Sequence, residues 1–142
     1  MLESFAPFLL RRIVNLMSAD LTAALKPHGV NLTRWRILVV LDAYGESTVG
    51  EIARLTALAQ PGISRAVDEM VTEGLIHRAP LPGDSRVSAL RLTDAGQLLY
   101  GKILPLAQSE EAALLHGLRE ADRQRLISLL QCVLANAEGR KG

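Results

Sequence analysis

The sequence predicts a mainly α-helical chain that carries one small β-hairpin. Within residues 48–92, two short helical patterns come in succession, two strand-like runs follow them, and a tip containing proline and glycine joins the strands. A helix-turn-helix followed by a hairpin is a winged helix-turn-helix, a shape that suits the DNA major groove with the hairpin, or wing, beside it. Long apolar helical patterns precede and follow this module and need a separate explanation.

Composition limits the classes of function. A chain of 142 residues with 49% hydrophobic residues can form one domain with an ample core. Aromatic residues make up 4% of the chain, which argues against a base-stacking surface for single strands. The net charge of +1 provides no strong attraction to nucleic acid, so DNA binding has to depend on where individual charges lie.

Neither export nor membrane insertion is expected. No run approaches the roughly 18 uncharged apolar residues of a membrane span. The first residues, Met1–Arg12, include Glu3 and lack both a basic leader and a small-residue cleavage site. A single cysteine, Cys132, excludes an intramolecular disulfide and suits a reducing compartment. We therefore expect a cytoplasmic protein without membrane contact.

Caps and helix breakers mark the first two helices. An apolar stripe predicts a helix from Leu2 to Leu25, and Pro27 and Gly29 end it. Asn31 is a good N-cap for a second helix over about Leu32–Tyr44, which is nearly all apolar on its inner side.

The next two helices form the helix-turn-helix. A capping box at Thr48–Glu51 starts a short third helix. A fourth helix is expected over about Gln60–Glu73, because apolar residues repeat there at helical spacing. Gly74 ends it in a Schellman motif, in which Leu75 packs back on Met70.

The hairpin follows directly. Strands are expected over Leu75–Ala79 and Val87–Leu92, where apolar and polar residues alternate in the second run. The segment between them, Pro80–Arg86, is too rich in proline to continue a ladder of hydrogen bonds. It is therefore predicted to be an exposed, unpaired tip.

Two C-terminal helices are expected. Thr93 caps a fifth helix over about Asp94–His116, interrupted by a kink at Pro105. Gly117 separates it from a sixth helix over about Glu120–Ala137. The tail of residues 139–142 is expected to be frayed. The sixth helix carries an apolar seam formed by Leu126, Leu130, Val133 and Ala137, widened by Ile127, Leu129 and Leu134.

The start of the fourth helix has the residue types of a DNA reader, because the end that enters a groove needs small or polar side chains. Its exposed residues are Gln60, Pro61, Gly62, Ser64 and Arg65. Gln60 can read adenine, Arg65 guanine or phosphate, and Ser64 either. Alternatively, Arg65 pairs with Asp68 and Glu69 on a solvated helix face. Both interpretations can hold, since the acids can orient the guanidinium before DNA arrives.

The wing tip offers a second contact. Arg86 projects from a thin hairpin, and an arginine in this position can enter a narrow minor groove. Asp84, two residues earlier, can pre-orient it. The alternative is an ordinary turn at Asp84 and Ser85 with an exposed arginine.

Several motifs together resemble the MarR family of bacterial transcriptional regulators. They are LTRWRILVVL, TVGEIARLT, SRAVDEMVTEGLI, PGDSR and LRLTDAG, which span nearly the whole chain. The most specific part is the D-x-R wing with the strand-to-helix junction behind it, here Asp84, Arg86, Leu90, Leu92, Thr93 and Gly96. Ala59 and Pro61 depart from the Ser or Thr often found near the start of the fourth helix, which puts a hydroxyl–phosphate contact there in doubt.

The resemblance implies a homodimer whose first, fifth and sixth helices intertwine. It places the fourth helix in the major groove and the wing arginine in the minor groove of an inverted-repeat, double-stranded site. The DNA-binding residues it implies are Gln60, Pro61, Ser64, Arg65, Asp84, Ser85 and Arg86. The chain then forms a single domain, with dimerisation helices at residues 1–29 and 94–142 and a DNA-binding module at residues 31–92. A dimer also explains the apolar seams, which are too large for the central module to bury.

Regulation is expected to involve a small ligand, since family members commonly bind small aromatic or anionic compounds between the dimer helices and the winged module. The residues that can line such a site here are Arg12, His28, Trp35 and Arg36, although Trp35 also suits the core. No metal and no other cofactor is expected, because the three histidines are isolated in sequence. Cys132 is expected to be inert and partly buried.

The sequence thus predicts a regulator, most often a repressor in this family, that a small-molecule effector releases from DNA. The alternative is a winged-helix dimerisation or interaction module without DNA binding. An enzyme is the weakest class, because no catalytic triad, phosphate loop or carboxylate pair stands out.

Overall fold

The computed structural model describes residues 1–140, and the predicted fold class is confirmed: it is mainly helical with one antiparallel hairpin. The elements in chain order are α1 Ala6–Leu25, α2 Leu32–Tyr44, α3 Val49–Thr56, α4 Gln60–Thr72, β1 Ile76–Leu81, β2 Asp84–Leu92, α5 Asp94–Leu114 and α6 Glu120–Gly139. Short 3₁₀ turns, Leu2–Ser4 and Lys26–His28, flank α1. The chain divides into two compact units, Met1–Glu110 and a second that begins at Glu111.

The N-terminal helical segment is split, whereas the sequence predicts one continuous helix from Leu2. Phe5 has an extended backbone (φ −93°, ψ 102°), and α1 begins only after it. Pro7 then occupies the first turn, where a missing N–H costs no helical hydrogen bond. At the far end Gly29 takes the left-handed conformation (φ 69°) that ends the segment as predicted.

Helices α2 and α3 begin at the predicted caps. The Asn31 side chain accepts a hydrogen bond from the Arg34 N–H at 2.8 Å. Thr48 Oγ1 accepts from the Glu51 N–H at 3.2 Å, and the Glu51 carboxylate accepts from the Thr48 N–H at 2.9 Å. These bonds satisfy N–H groups that have no partner within the helix, and so they define where each helix starts.

Helix α4 ends in the predicted Schellman motif. Gly74 has a φ of 76°, and its N–H donates to the Val71 carbonyl at 3.0 Å. The Leu75 N–H donates to the Met70 carbonyl at 2.9 Å. These are the two hydrogen bonds that close a helix in this motif, and they turn the chain directly into the wing.

The wing is longer than the sequence predicts. The expectation of an unpaired tip over Pro80–Arg86 is only partly right. Pro80 pairs with Ser88 and Leu81 with Asp84, which puts Pro82 and Gly83 at the turn, whereas Ser85 and Arg86 fall within the register shift and have no partner on β1. Both strands of a two-stranded sheet are edge strands, which tolerate a proline because alternate N–H groups point away from the partner. The register shifts directly after the proline in β1. The tip is exposed as predicted, apart from half-buried Leu81.

The base of the wing is tied to both α4 and α5 by Thr93. Its Oγ1 donates to the Gly74 carbonyl at 2.6 Å and accepts from the Gly96 N–H at 3.1 Å. Its N–H donates to the Leu75 carbonyl at 3.1 Å. Gly96 is buried, and a Cβ there would lie 2.2 Å from the Leu75 oxygen. We call this group of four residues, Gly74, Leu75, Thr93 and Gly96, the Thr93 junction.

Helix α5 continues through Pro105 without a break, so the predicted interruption is not present, and the kink expected at this residue stays a prediction. Proline removes one helical N–H, but buried Ile103 and half-buried neighbours hold the helix in place around it. Gly117, with a φ of 84°, precedes α6 as predicted. Helix α6 extends to Gly139, which contradicts fraying at that residue; residues 141 and 142 of the expected frayed tail lie outside the described part of the chain.

The core lies beneath α2, α4 and the base of the wing. Its fully buried large side chains are Leu25, Ile37, Leu38, Leu41, Ile52, Ile63, Val67, Met70, Leu90 and Ile103. Burial of each such side chain stabilises the fold by about 1.5–3 kcal/mol before entropy is counted. Trp35 stacks on Tyr100 with 5.6 Å between ring centroids and 11° between planes, which joins α2 to α5.

Two helices present uncovered apolar faces in the single chain. On α1 the exposed members are Phe8, Leu9, Ile13, Val14 and Leu16; on α6 they are Ile127, Leu129, Leu130, Val133 and Leu134. No described side chain of α6 is buried. Within residues 1–140, no helix has both the length and the apolar character needed to cross a membrane.

We expect Gly96→Ala to lower the free energy of unfolding by about 1–3 kcal/mol, the usual cost of overpacking a tight site, because the new methyl collides with the Leu75 carbonyl. Urea denaturation at fixed protein concentration measures it. Gly101→Ala is the matched control on the same helix. Nothing lies within 4 Å of a Cβ there, so it should not destabilise. Equal effects of the two substitutions would contradict a special role for Gly96.

Candidate nucleic-acid interface

The start of α4 presents an open polar surface. Ala59 precedes the helix without a side-chain cap, and Pro61 lies in its first turn. Gln60, Pro61 and Arg65 are exposed, and Ser64 is half-buried. Because no side chain satisfies the first N–H groups, they are available to an anionic oxygen such as that of a phosphate.

The carboxylates of α4 are held by arginines from outside the helix. Arg78 of β1 is hydrogen-bonded to Asp68. Arg34 of α2 binds Glu73 through both carboxylate oxygens, at 2.9 and 2.7 Å, and Glu69 at 2.9 Å. We call the group Arg34, Glu69 and Glu73 the α2–α4 clamp.

Arg65 is left to solvent. It forms no ion pair with any residue from 1 to 140. The alternative in which Asp68 and Glu69 pair with Arg65 is wrong. Asp68 pairs with Arg78 instead, and Glu69 pairs with Arg34. The guanidinium is therefore in a position to bind guanine or phosphate without breaking an ion pair.

The α2–α4 clamp joins one arginine to two carboxylates. The Arg34 side chain is only 16% exposed, so its hydrogen bonds to carboxylates are partly shielded from water. The hydrogen bond from Arg34 is the main cause that lowers the pKa of Glu73. Hydrogen bonds to Glu73 and then Glu69 raise the pKa of Arg34, which favours the charged guanidinium.

The wing tip has the predicted contact between Asp84 and Arg86. The Arg86 N–H donates to Asp84 Oδ1 at 3.0 Å, and the guanidinium Nε lies 3.7 Å from the same oxygen. The Arg86 side chain is 93% exposed. Ser85 between them is also exposed. Asp84 thus orients the backbone of the tip while the guanidinium stays available.

A groove of about 770 Å³ lies between α4 and the wing. Helix α4 contributes Gln60, Pro61, Ser64 and Asp68 to it, the wing contributes Arg78 and Arg86, and the start of α3 forms the third wall. We call it the reading groove. It brings three of the four helix residues predicted from sequence together with the wing arginine, whereas Arg65, Asp84 and Ser85 lie outside its lining.

The candidate effector-binding residues are spread over several environments. They are Arg12, His28, Trp35 and Arg36. Trp35 is buried and stacked on Tyr100, whereas the other three are exposed or half-buried. Burial, and then the Asp42 carboxylate, raise the pKa of Tyr100. None of the four lines the reading groove, and their role in binding an effector stays a prediction.

The cysteine lies in a different environment from the one expected. Cys132 is exposed, so its predicted partial burial is wrong for the single chain. It lies on α6, where none of the described side chains is buried. Across residues 1–140, no group of three His, Cys, Asp or Glu side chains is arranged to hold a metal.

Comparison with known proteins settles the family. A model of the MarR family matches residues 28–87. The chain is 30% identical to the HTH-type transcriptional repressor IacR of Pseudomonas putida over 136 residues. This match covers 96% of this chain and 81% of that protein. The chain belongs to the MarR family. It is therefore a winged helix-turn-helix, DNA-binding transcriptional regulator, as the sequence motifs imply, rather than an interaction module without DNA binding.

Solved structures of MarR-family regulators share the fold. A MarR-family transcriptional regulator from Silicibacter pomeroyi DSS is 35% identical with a TM-score of 0.88, covering 96% of this chain and 91% of that one. BpsR of Bordetella bronchiseptica, whose DNA binding is regulated by 6-hydroxynicotinic acid, has a TM-score of 0.80 at 21% identity. That match covers 90% of this chain and 97% of the BpsR chain, and at this identity it shows the fold alone.

Sequence reasoning missed three features of this MarR-family module. Arg34 and Arg78 balance the acids of α4. Buried Ser47 forms an isolated bridge with Leu90: its N–H donates at 3.1 Å and its carbonyl accepts at 2.8 Å, which attaches the start of α3 to the wing. No local pattern points to these contacts, because each joins two different elements of the fold; Arg34 and Glu73 are 39 positions apart, and Arg78 and Asp68 are 10 apart. The only signal in the sequence is that Arg34 and Arg78 lie outside the apolar faces of their elements, where they are free to pair with acids.

We expect Arg34→Gln to lower the free energy of unfolding at pH 7 by roughly 1 kcal/mol, after a discount for the half-exposed carboxylates. The folded pKa of Glu73 lies below its ordinary value of 4.5. Its contribution is therefore complete above pH 4.5 and is lost as pH falls through the folded pKa. Urea denaturation across this pH range should show the difference between wild type and variant shrinking on acidification.

Arg119→Gln is the control, because it breaks an ion pair whose arginine is fully open to water. It should change stability little at any pH. A wild-type–variant difference for Arg34→Gln that stays constant from pH 7 to below 4.5 would show that the clamp does not act through Glu73 ionisation.

Proposed function

We propose that the chain binds an inverted-repeat, double-stranded operator as a homodimer, with α4 in the major groove and the wing in the adjacent minor groove. The reading groove carries this proposal, because it combines Gln60 and Ser64 of α4 with Arg86 of the wing on one surface. The proposed DNA-contacting residues are Gln60, Pro61, Ser64, Arg65, Asp84, Ser85 and Arg86. The proposal assigns the chain no catalytic role.

Each contact has a distinct chemical role. Gln60 can pair with both the acceptor and the donor on the adenine edge, and Arg65 can bind guanine through two parallel hydrogen bonds. Arg86 matches the negative potential of a narrow minor groove, and Asp84 orients it there. Pro61 and Ser64 let the backbone of α4 approach the groove closely, which suits base readout.

The uncovered apolar faces of α1 and α6 support the dimer. Their exposed Leu, Ile, Val and Phe side chains exceed what a stable monomer leaves in water. A two-fold dimer would bury both faces and place two copies of α4 about 34 Å apart, which is one turn of DNA. The assignment of residues 1–29 and 94–142 to dimerisation and of residues 31–92 to DNA binding belongs to this proposal, as does a cytoplasmic location beside the chromosome.

Release by a small aromatic or anionic effector completes the proposed function. BpsR, which shares the fold, responds to 6-hydroxynicotinic acid, a compound of this class. Arg12, His28 and Arg36 offer the cationic or polar groups, and Trp35 an aromatic one, that such a ligand needs. Thermal shift measurements with a panel of small aromatic carboxylates test this. A panel in which no compound changes the melting temperature or the DNA affinity would contradict it.

We expect Arg86→Ala to weaken binding to the chain's own upstream DNA by about 1–3 kcal/mol, because the minor-groove contact is lost. Arg65→Ala should lower affinity similarly and also relax specificity at one base position, since Arg65 reads a base edge. Fluorescence anisotropy with matched and single-base-changed duplexes measures both effects.

Arg119→Ala serves as the control for charge, because it removes one exposed arginine outside the DNA-binding module. It should leave affinity nearly unchanged. Equal affinity of the wild type for upstream and scrambled duplexes, with no effect of either substitution in the module, would disprove the proposed operator contacts.

Leu130→Glu should shift the protein from dimer to monomer, because it places a charge within the apolar seam of α6. Ser128→Glu is the matched control, since it adds the same charge on the face of the helix roughly opposite the seam. Sedimentation equilibrium distinguishes them. A wild type that sediments as a folded monomer at micromolar concentration would refute the proposed dimer.

A further inference from the structure

An ion pair that the proposed contacts leave out lies inside the reading groove. Asp68 is on α4, one helical turn beyond Ser64, and Arg78 is on β1. The two side chains are hydrogen-bonded to each other, and both line the groove. A carboxylate in a groove meant for DNA repels phosphate, so its presence needs an explanation.

The pair is exposed enough to be exchanged. The Asp68 side chain is 59% exposed and the Arg78 side chain 37% exposed. Exposed ion pairs contribute little to stability, because water screens the attraction and two long side chains lose freedom. A guanidinium binds phosphate with the same planar, paired hydrogen bonds that it makes to a carboxylate. A phosphate oxygen can therefore replace Asp68 without harm to the fold.

The α2–α4 clamp provides the contrast on the same helix. Arg34 is 16% exposed and takes part in three hydrogen bonds to Glu69 and Glu73. None of the clamp residues lines the reading groove. A DNA backbone in the groove therefore has no direct access to the clamp. Among the carboxylates of α4, Asp68 alone lies where a DNA backbone can compete for its arginine.

We propose that Arg78 contacts a DNA phosphate and that Asp68 holds it in the free protein, so that the DNA backbone must displace the carboxylate to bind. This inference rests on the proposed DNA-binding function. Phosphate contacts carry no sequence information. Asp68 thus lowers the affinity for all duplexes alike, and the pair acts as a built-in restraint on non-specific binding.

A random-sequence duplex at low salt is the appropriate probe, because it reports phosphate contacts without an operator. Arg78→Gln should weaken binding roughly tenfold and reduce the dependence of log affinity on log salt by about one. Asp68→Asn should strengthen binding roughly fivefold, since it removes both the competitor and a charge that repels phosphate. Both variants should keep the wild-type melting temperature, because the pair is exposed.

Opposite changes in DNA affinity in the two variants would indicate that phosphate replaces Asp68 as the partner of Arg78. A pair that merely supports the fold would move affinity and melting temperature in the same direction in both variants. Arg91→Gln is the matched control, since Arg91 is an exposed wing arginine that faces Glu46 and lies outside the groove. It should retain the wild-type salt dependence.

The outcomes separate this inference from the proposed function. If the wild type binds the duplex but Arg78→Gln leaves the salt dependence intact, or both variants weaken binding, Arg78 is not a displaced phosphate contact and the operator model still stands. Weaker binding of Asp68→Asn alone points instead to a base contact by Asp68 and also overturns the inference. A wild type that binds no duplex at any salt concentration overturns both.

Discussion

The Thr93 junction determines where the wing stands relative to α4, and the reading groove depends on that placement. One hydroxyl donates to the carbonyl of Gly74 at the end of α4 and accepts from the N–H of Gly96 at the start of α5. The Thr93 side chain thus binds the end of α4 and the start of α5 at once. A shift of one helix relative to the other would break one of these two hydrogen bonds. The close approach behind it requires glycine, because any Cβ at position 96 meets the Leu75 carbonyl.

Two further contacts restrain α4 and the wing. The α2–α4 clamp ties the C-terminal half of α4 to α2 through Arg34, and the bridge of Ser47 with Leu90 ties the wing to the start of α3. All of these contacts lie away from the first two turns of α4, where no side chain caps the helix and Arg65 has no ion pair among the described residues. The C-terminal end of α4 is therefore held by its neighbours, whereas its N-terminal end has polar groups without partners in the described part of the chain. Docking into a DNA groove requires this arrangement.

Sequence signals that act over a few residues predicted most of the fold. The caps at Asn31 and Thr48 and the Schellman stop at Gly74 all depend on neighbours within one helical turn. The missed features depend on distant partners: Arg34 and Glu73 are 39 positions apart, and the extension of the wing depends on which N–H groups of a proline-containing edge strand face outward. The sequence likewise located the candidate residues of α4 and of the wing tip, but it did not show that they share one groove. Nor did it show that Arg78 pairs with Asp68.

The near-neutral net charge, together with these pairings, suits a sequence-specific reader. Non-specific affinity grows with the number of cations that replace counterions on the DNA backbone. Here Arg34 is held in the clamp and Arg78 is hydrogen-bonded to Asp68. Arg65 has no ion pair among the described residues, and Arg86 has only a long contact of 3.7 Å with Asp84. In the proposed complex both reach base edges or the floor of the minor groove. Under that proposal, discrimination between sites rests on few contacts that carry sequence information, against a weak background of attraction to any duplex.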